Sequence, residues 1–418
     1  MYKAARGTTD ILPEEQAQRR YIEKAISEIT RLYGFQRIDT PVFEDTGLFN
    51  RSVGQGTDIV EKEMYTFEDK GGNSETLRPE GTAPVCRAYL EHGMQNLPQP
   101  VKLFYQASIF RYERPQAGRL REHHQFGCEC IGDDDPAIDA EVIDMAWRFY
   151  KSLGLAHISL QLNSIGCRQC RPAYLKLLEE YYAGKVEKLC ADCKTRLVKN
   201  PLRLLDCKQP SCQAIADAAP ASADHLCGDC REHFNRLQKY LNLLAIPFKI
   251  NHRLVRGLDY YTRTVFEFQP EEEGGQSSIG AGGRYDNLIE ELGGKPTPAI
   301  GFGIGIERVV LNLKKQGISV PTPPPLQVLI AAMSDAARDL SIKLAADLRQ
   351  GGISAVTAAG GKSLKAQLRQ ANALGARFAV IIGEDEVKAG TAALRDMAGA
   401  SQETIALKDL RARLKQSS

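Results

Sequence analysis

No stretch of this sequence approaches the ~18 apolar residues of a membrane span, so a helical membrane protein is excluded. The N-terminus, MYKAARGTTDILPEE, is polar and lacks the apolar segment of a signal peptide, so the chain is expected in the cytoplasm. Net charge is also scarce, +2 at neutral pH, and contact with a polyanion must come from local basic patches rather than a basic whole. What is present is ordinary for a folded chain. The 418 residues, 43% hydrophobic and 25% charged, suffice for two or three domains with buried cores. Cysteine is the exception: eleven copies in a reducing compartment point to metal or free thiols more than to disulfides.

The stretch FYQASIFRYERPQAGRLREHHQFGCE, Phe104 to Glu129, is where charge and alternation meet. Leu103, Tyr105 and Ala107 fall on one face and Phe104, Gln106 and Ser108 on the other, so it opens as a strand. Arg111 and Glu113 follow on a shared face. Arg114-Pro115-Gln116-Ala117-Gly118 breaks the pattern, and Phe126 to Ile131 returns as a second strand. A hairpin loop with Arg114, Arg119 and Arg121 suits a polyanion; a charged, solvated hairpin accounts for it equally well. On the returning strand Gln125, Gly127 and Glu129 share a face, the glycine leaving room for a ligand, while Cys128 and Cys130 form the apolar side. An amide and a carboxylate there suit a carboxyl or ammonium group and an imidazole N–H respectively.

Before this hairpin, Tyr21, Ala25, Ile29 and Leu32 mark a helix from Pro13 to a stop at Gly34, and Phe35 to Val42 reads as a short strand. Met64 to Phe67 and Thr76-Leu77 are short strands around Gly71-Gly72. Pro79-Glu80-Gly81-Thr82 then opens a helix reaching His92, where Thr82 is either a plain N-cap or, with Glu80, a binding group for an α-ammonium. Ile138 to Leu153 is a helix carrying the single tryptophan, Trp147.

From Cys167 to Phe234 the composition changes, with eight of the eleven cysteines arranged as Cys167/Cys170, Cys190/Cys193, Cys207/Cys212 and Cys227/Cys230. Helix-like pieces at Tyr174 to Tyr182 and His233 to Leu244 make this a small inserted domain. Residues 185–208 hold seven Lys or Arg against three acids, a phosphate-binding patch or a solvated helix face. Joined in sequence order, the first two pairs are 19 residues apart, a spacing typical of a four-cysteine zinc site, and the last two are 14 apart. Interleaved pairing fits as well. Two zinc ions, one zinc with spare thiols, or buried thiols packed as small hydrophobes all satisfy the spacing.

LVRGLDYYTRTVFE, Leu254 to Glu267, packs Arg256, Gly257, Tyr260 and Tyr261 into six residues before a strand. Ile279 to Asp286 is a glycine cluster with Tyr285, and Gly301 to Arg308 runs from strand to helix with Arg308 in the first turns, a place that suits phosphate. Pro321 to Pro325 is a stiff linker. Beyond it, strands at Gln327 to Ala332, Ala355 to Thr357 and Phe378 to Ile382 alternate with helices at Asp335 to Gln350 and Lys362 to Leu374, an α/β domain with a mainly parallel sheet. Lys362, Lys365 and Arg369 share one helix face, a stripe that is usually just solvated and that suits RNA only where the domain binds it.

FRYERP and the returning HHQFGCE resemble motif 2 of class II aminoacyl-tRNA synthetases. Together with PEGT, LVRGLDYYTRTVFE and the motif 3-like GFGIGIER, in that order, they resemble the histidyl-tRNA synthetase family from about Ala5 to the C-terminus. The resemblance implies an α+β catalytic domain on an antiparallel sheet of class II type at 1–165 and 246–321. A small helical Cys-rich insertion would span 166–245, where NPLRLLDCK is also similar, and a C-terminal α/β anticodon-binding domain 326–418. Motif 1, the first helix and strand with Pro41, implies a homodimer, and no membrane is involved.

The implied activity is histidine–tRNA ligation: L-histidine and ATP give the adenylate and pyrophosphate, and histidine passes to the 3′ end of tRNA(His). On this resemblance Arg111 and Arg256 are catalytic at the α-phosphate. Arg111, Glu113, Arg119 and Arg308 bind ATP, with Mg²⁺ on the β and γ phosphates. Glu80, Gly81, Thr82, Arg111, Gln125, Glu129, Arg256, Tyr260, Tyr261 and Tyr285 form the histidine pocket. Structural zinc, if held, falls to Cys167, Cys170, Cys190, Cys193, Cys207, Cys212, Cys227 and Cys230. Two alternatives stand beside this: a non-catalytic, histidine-binding regulatory paralogue of ATP phosphoribosyltransferase, and a zinc-bearing RNA-binding protein. The first should lack Arg256 and the C-terminal domain; the second needs no ATP site.

Overall fold

The computed structural model describes residues 2–416, apart from 55, 56, 58, 116, 117, 272–277, 323 and 400. Gln116 and Ala117 of the hairpin loop and Pro323 of the linker thus lie outside the described residues. The chain divides into two units, Met1–Pro321 and Thr322–Ser418. The strands of the first are β1 (Gln36–Arg37), β2 (Phe43–Asp45), β3 (Tyr65–Glu68), β4 (Ser74–Leu77), β5 (Val101–Phe110), β6 (Glu122–Ile131), β7 (Ile158–Ser164), β8 (Phe248–Ile250), β9 (Thr262–Pro270), β10 (Gly280–Arg284) and β11 (Ala299–Gly305). One sheet has the order β1-β5-β6-β11-β10-β9-β7-β8 and is antiparallel except for the edge pairs β1–β5 and β7–β8. A small antiparallel sheet, β2-β4-β3, stands beside it.

Both faces of the large sheet are covered, and the alternation along β5 separates them. Phe104 joins Phe126, Cys128 and Cys130 in a core under the helices Gln16–Leu32, Pro136–Ser152 and Ile306–Lys315. Leu103, Tyr105 and Ala107 face the opposite side, with Tyr260, Tyr261 and Tyr285. The first helix presents a different stripe from the expected one. Ile22, Ala25, Ile26 and Ile29 are buried, whereas Leu32 is 66% exposed. At about 100° per residue the four buried positions centre near the direction of Ile29 and Ile22, and Tyr21 and Leu32 lie roughly 70–90° to one side of it, at the edge of the stripe. Of the expected strand Phe35 to Val42 only β1 is strand, and β2 begins just past its end on the other sheet.

Residues 166–245 form the helices Arg171–Ala183, Ala191–Lys199, Pro210–Asp217 and Gly228–Leu243, joined by short 3₁₀ turns. Gly228–Leu243 lies on Pro136–Ser152 and buries Phe234, Leu237 and Leu241 in the core of the sheet, where His233 Nε2 meets Asp139 Oδ2 at 2.8 Å.

The second unit holds β12 (Val328–Ala332), β13 (Ala355–Thr357), β14 (Phe378–Ile382), β15 (Thr391–Asp396) and β16 (Gln402–Ala406) in the order β13-β12-β14-β15-β16. The sheet is mixed rather than mainly parallel, because β14–β15 and β15–β16 are antiparallel. The connections 383–390 and 397–401 are shorter than the dozen or so residues a parallel crossover needs. Lys365 and Arg369 lie on the helix Leu364–Ala373, which starts after Lys362.

Candidate active site

Strand register builds the floor of the site. Leu103, Tyr105 and Ala107 of β5 stand opposite Glu129, Gly127 and Gln125 of β6, and these stand opposite Gly301, Gly303 and Gly305 of β11. Glycine in the middle of a strand weakens it, so a row of them needs a local reason. Here it is space. A Cβ at Gly301 would collide with the Glu129 carboxylate, and one at Gly303 with the Gln125 amide. The two polar side chains therefore lie flat across β11. Gly127 does not leave a gap for a ligand, as its spacing suggested, because the Tyr105 ring fills that space and also abuts Gly81.

Glu129 is the centre of this floor. It is 1% exposed; Oε1 accepts from Thr82 Oγ1 at 2.8 Å and from Tyr105 Oη at 3.4 Å, and Oε2 accepts from Tyr285 Oη at 2.5 Å. Burial pushes its carboxyl up to about 8 against the pull of the Tyr285 and Thr82 hydroxyls, and the neighbouring Glu80 charge adds to the rise. Gln125 Oε1 is buried and has no hydrogen-bond partner among the described residues. A buried acceptor without a donor is costly, so the pocket is shaped for one.

Of the two readings of this helix start, a Thr82 cap or a binding group made with Glu80, the structure shows a cap, made by Glu80 instead of Thr82. The two Glu80 oxygens accept from the Thr82 and Ala83 backbone N–H groups at 2.7 and 2.8 Å, capping the helix Thr82–Glu91, and Tyr260 Oη donates to Glu80 at 3.5 Å. The cap is thus Glu80, and Thr82 is released to bridge to Glu129. Tyr260 sits between its neighbours, with ring centroids 4.8 Å from Tyr261 and 5.7 Å from Tyr285.

A cationic rim adjoins this pocket. Arg111, just past the end of β5, donates Nε to the Pro79 carbonyl at 2.6 Å and places Nη1 3.9 Å from Glu113. Arg119 Nη1 lies 3.6 Å from the other Glu113 oxygen. Arg308, in the first turn of Ile306–Lys315, donates to the carbonyls of Gly118 and Ser278. Arg111 and Arg119 therefore flank Glu113, while Arg111 and Arg308 are held by backbone carbonyls. Burial and the Arg111 charge hold His123 down at about 4, so its imidazole is neutral there. Burial opposes the Glu307 anion, yet His124, at 2.7 Å, together with backbone N–H groups and Arg19, at 3.0 Å, brings Glu307 down to about 2 and fixes the helix start that carries Arg308.

Arg256 approaches from the other side. Nη1 donates to Glu267 Oε2 at 2.8 Å, the guanidinium is 5.8 Å from the Tyr261 ring centroid, and its buried Nε has no partner among the described residues. It borders a cavity of about 200 Å³ lined also by Arg171, Lys199, Asn200 and Asp259, between the inserted helices and the sheet. Sequence reasoning gave no role to Tyr105, Glu267 or Glu307. Tyr105 was visible only as one alternating residue of a strand, and the other two depend on partners more than ten residues away.

Chemically, a buried carboxylate–tyrosine floor with an orphan acceptor suits a small molecule bearing N–H groups, and the arginine rim suits a polyphosphate. Residues 7–309 match the family model described as histidyl-tRNA synthetase, and residues 327–417 the one described as anticodon binding domain. The chain is 63% identical over 410 residues to the histidine–tRNA ligase of Dehalococcoides mccartyi strain 195, covering 98% of both chains. It is 52% identical to the histidine–tRNA ligase of Pelotomaculum thermopropionicum, over 96% of this chain and 95% of that one. It also resembles the crystal structure of apo S. aureus histidyl-tRNA synthetase, with a TM-score of 0.83 and 38% identity, covering 99% of this chain and 100% of that one.

Proposed function

This chain belongs to the histidyl-tRNA synthetase family, within the class II aminoacyl-tRNA synthetases, and from that premise we propose how its residues share the work. The activity is histidine–tRNA ligation: L-histidine is activated by ATP to the adenylate with release of pyrophosphate, then transferred to the 3′ end of tRNA(His). The non-catalytic and the purely RNA-binding alternatives are not favoured, since Arg256 and a C-terminal unit matching an anticodon-binding model are both present.

In activation the histidine carboxylate attacks the α-phosphorus and pyrophosphate leaves, so two anions meet. Preorganised cations aimed at the developing charge lower that barrier. We assign this role to Arg111 and Arg256, one from each side of the cleft. Glu113, Arg119 and Arg308 would hold the rest of ATP, whose Mg²⁺ enters as part of the substrate. Glu129, with Tyr260 and Tyr261, would receive the imidazole N–H, and Gln125, Thr82 and Glu80 the amino acid's carboxyl or ammonium, with Gly81 and Tyr285 shaping the walls. Glu80 must then serve while capping its helix, which its second lone pairs permit.

The catalytic core is assigned to 1–165 and 246–321, the insertion to 166–245 and the anticodon-binding domain to 326–418. A homodimer through residues 37–53 is supported by an exposed apolar patch, Val42, Phe43 and Phe67, at 45%, 47% and 43% exposure, in which the two rings stack edge to face. Zinc in the four-cysteine clusters completes the assignment, and a cytoplasmic location follows the use of the product in translation.

The observation that carries the pocket is Glu129, buried between Thr82 and Tyr285 beside the orphan acceptor of Gln125. Histidine titrated into the chain without nucleotide tests it. Binding should be lost in Glu129→Gln and weakened in Gln125→Ala; unchanged affinity in both would remove the pocket from this place.

A further inference from the structure

The eight cysteines of the insertion join neither in sequence order nor alternately, but nested. Cys167, Cys170, Cys227 and Cys230 form an outer cluster and Cys190, Cys193, Cys207 and Cys212 an inner one, with the sulfurs of each within 4.8 Å of one another. Sulfur–sulfur distances include 3.8 Å for Cys167–Cys170, 3.9 Å for Cys167–Cys227 and 3.8 Å for Cys190–Cys207. A disulfide would bring sulfurs to about 2.05 Å. A tetrahedral ion with zinc–sulfur bonds of about 2.3 Å sets its ligands about 3.8 Å apart. The spacing therefore fits one ion per cluster and is too tight to enclose several irons.

Backbone donors point at three of the sulfurs. The backbone N–H groups of Cys167 and Gln169 point at Cys170 and Cys167 sulfurs at 3.3 and 3.4 Å, and that of Cys190 at Cys212 at 3.3 Å. Cys170, Cys190 and Cys227 each sit at the N-cap of a helix of nine residues or more, where the macrodipole favours negative charge. Four thiolates held this close repel unless a cation lies between them.

Both clusters also reach the same catalytic segment. Next to Cys170, Arg171 donates to the carbonyls of Ile165, Gly166 and Tyr261 at 3.3, 3.1 and 2.5 Å. Gly166 in turn accepts from the Arg263 backbone N–H at 2.9 Å, at a residue held at φ +46°. On the inner side, Arg253 donates to the carbonyls of Leu205 and Cys207 at 3.2 and 3.3 Å and to Asp217 at 2.7 Å. Residues 253–263, which carry Arg256, Tyr260 and Tyr261, are thus gripped at both ends by groups adjoining the clusters.

We propose that each chain binds two zinc ions, one per nested cluster, and that they position residues 253–263: the outer ion through Arg171 on the Tyr261 carbonyl, the inner through the Cys207 carbonyl on Arg253. The positioning part rests on the assignment of Arg256 and Tyr261 to the active site. Arg171 acts here through the Tyr261 carbonyl, as a positioning residue.

Metal analysis of the full chain, purified without chelator, should find two zinc ions per chain, and Cys227→Ser and Cys190→Ser should each retain one. Zero metal with eight native-state thiols titrating freely overturns the sites, and iron in their place overturns zinc. Arg171→Ala keeps every ligand. It should retain both ions yet raise the KM for histidine in pyrophosphate exchange about tenfold, the scale of one lost charged hydrogen bond, with Arg171→Lys recovering part of the loss. Unchanged kinetics in Arg171→Ala with both ions bound overturns the positioning role. A wild-type chain with two zinc ions but no response to histidine overturns the active-site assignment and the positioning with it, while bearing out the metal sites.

Discussion

The ring of Tyr105 occupies the space that any side chain at position 127 would need, so Gly127 and Tyr105 act as one unit across neighbouring strands. Gly127→Ala should therefore displace the tyrosine from Glu129 and cost about 1–3 kcal/mol, the usual range for overpacking a filled site. Urea unfolding measures the stability loss. A raised KM for histidine, absent from a surface Gly→Ala control, ties it to the pocket.

Glu129 gives the pocket a pH dependence. Its carboxyl stands at about 8 because burial disfavours the anion. A carboxyl raised above its unfolded value binds more protons folded than unfolded between the two pKa values, so this group lowers stability as pH climbs from the ordinary carboxylate range to about 8, and no further above it. Glu129→Gln should flatten that segment of the stability curve. Histidine, donating N–H to the carboxylate, favours the anion, so binding at pH 7 should release protons from this group. Calorimetry in buffers of different ionisation enthalpy reads the release, which should fade as the pH is raised well above 8.

Arg256→Ala should leave the fold intact while slowing activation ~10²–10³-fold, as for loss of one preorganised electrostatic donor. Arg256→His should fail too, since imidazole is shorter and mostly neutral at pH 7. The variant strips Glu267 of its partner, so Arg256→Ala/Glu267→Gln is the matched control. Unchanged single-turnover rates in a folded variant would make Arg256 a structural residue.

What could be read from the chain follows how far each signal reaches. Alternation is local, so the strands around Phe104 and Phe126 and their faces were legible. Gln125 and Glu129 were found because period-two spacing places them on one face. That Tyr105 lies over Gly127 depends on the register of β5 against β6; that Gly301 and Gly303 yield to Glu129 and Gln125 depends on β6 pairing with β11 across some 170 residues of chain, and no local pattern encodes that. Which of Glu80 and Thr82 caps the helix was open, because a carboxylate beside a helix start serves as a cap or a ligand group with the same spacing. Cysteine spacing counts residues along the chain, whereas nesting is decided by the helices Arg171–Ala183 and Gly228–Leu243 returning together. The rest was carried by motif resemblance, above all LVRGLDYY.

A homodimer through residues 37–53 predicts that Phe43→Glu, which places a charge in the exposed patch with Phe67, shifts the chain to monomer. Light scattering at micromolar concentration checks it. A fully active wild-type monomer would contradict the interface.

The most direct measurement is ATP–pyrophosphate exchange with each of the standard amino acids in turn. Glu129, assigned the imidazole N–H, is a buried carboxylate held by Thr82 and Tyr285, and a site of that kind rejects side chains that leave it unpaired. Exchange should be supported by histidine and by no other standard amino acid. Robust exchange with a different amino acid, with histidine inert, would contradict the assignment of this pocket and of the chain's activity.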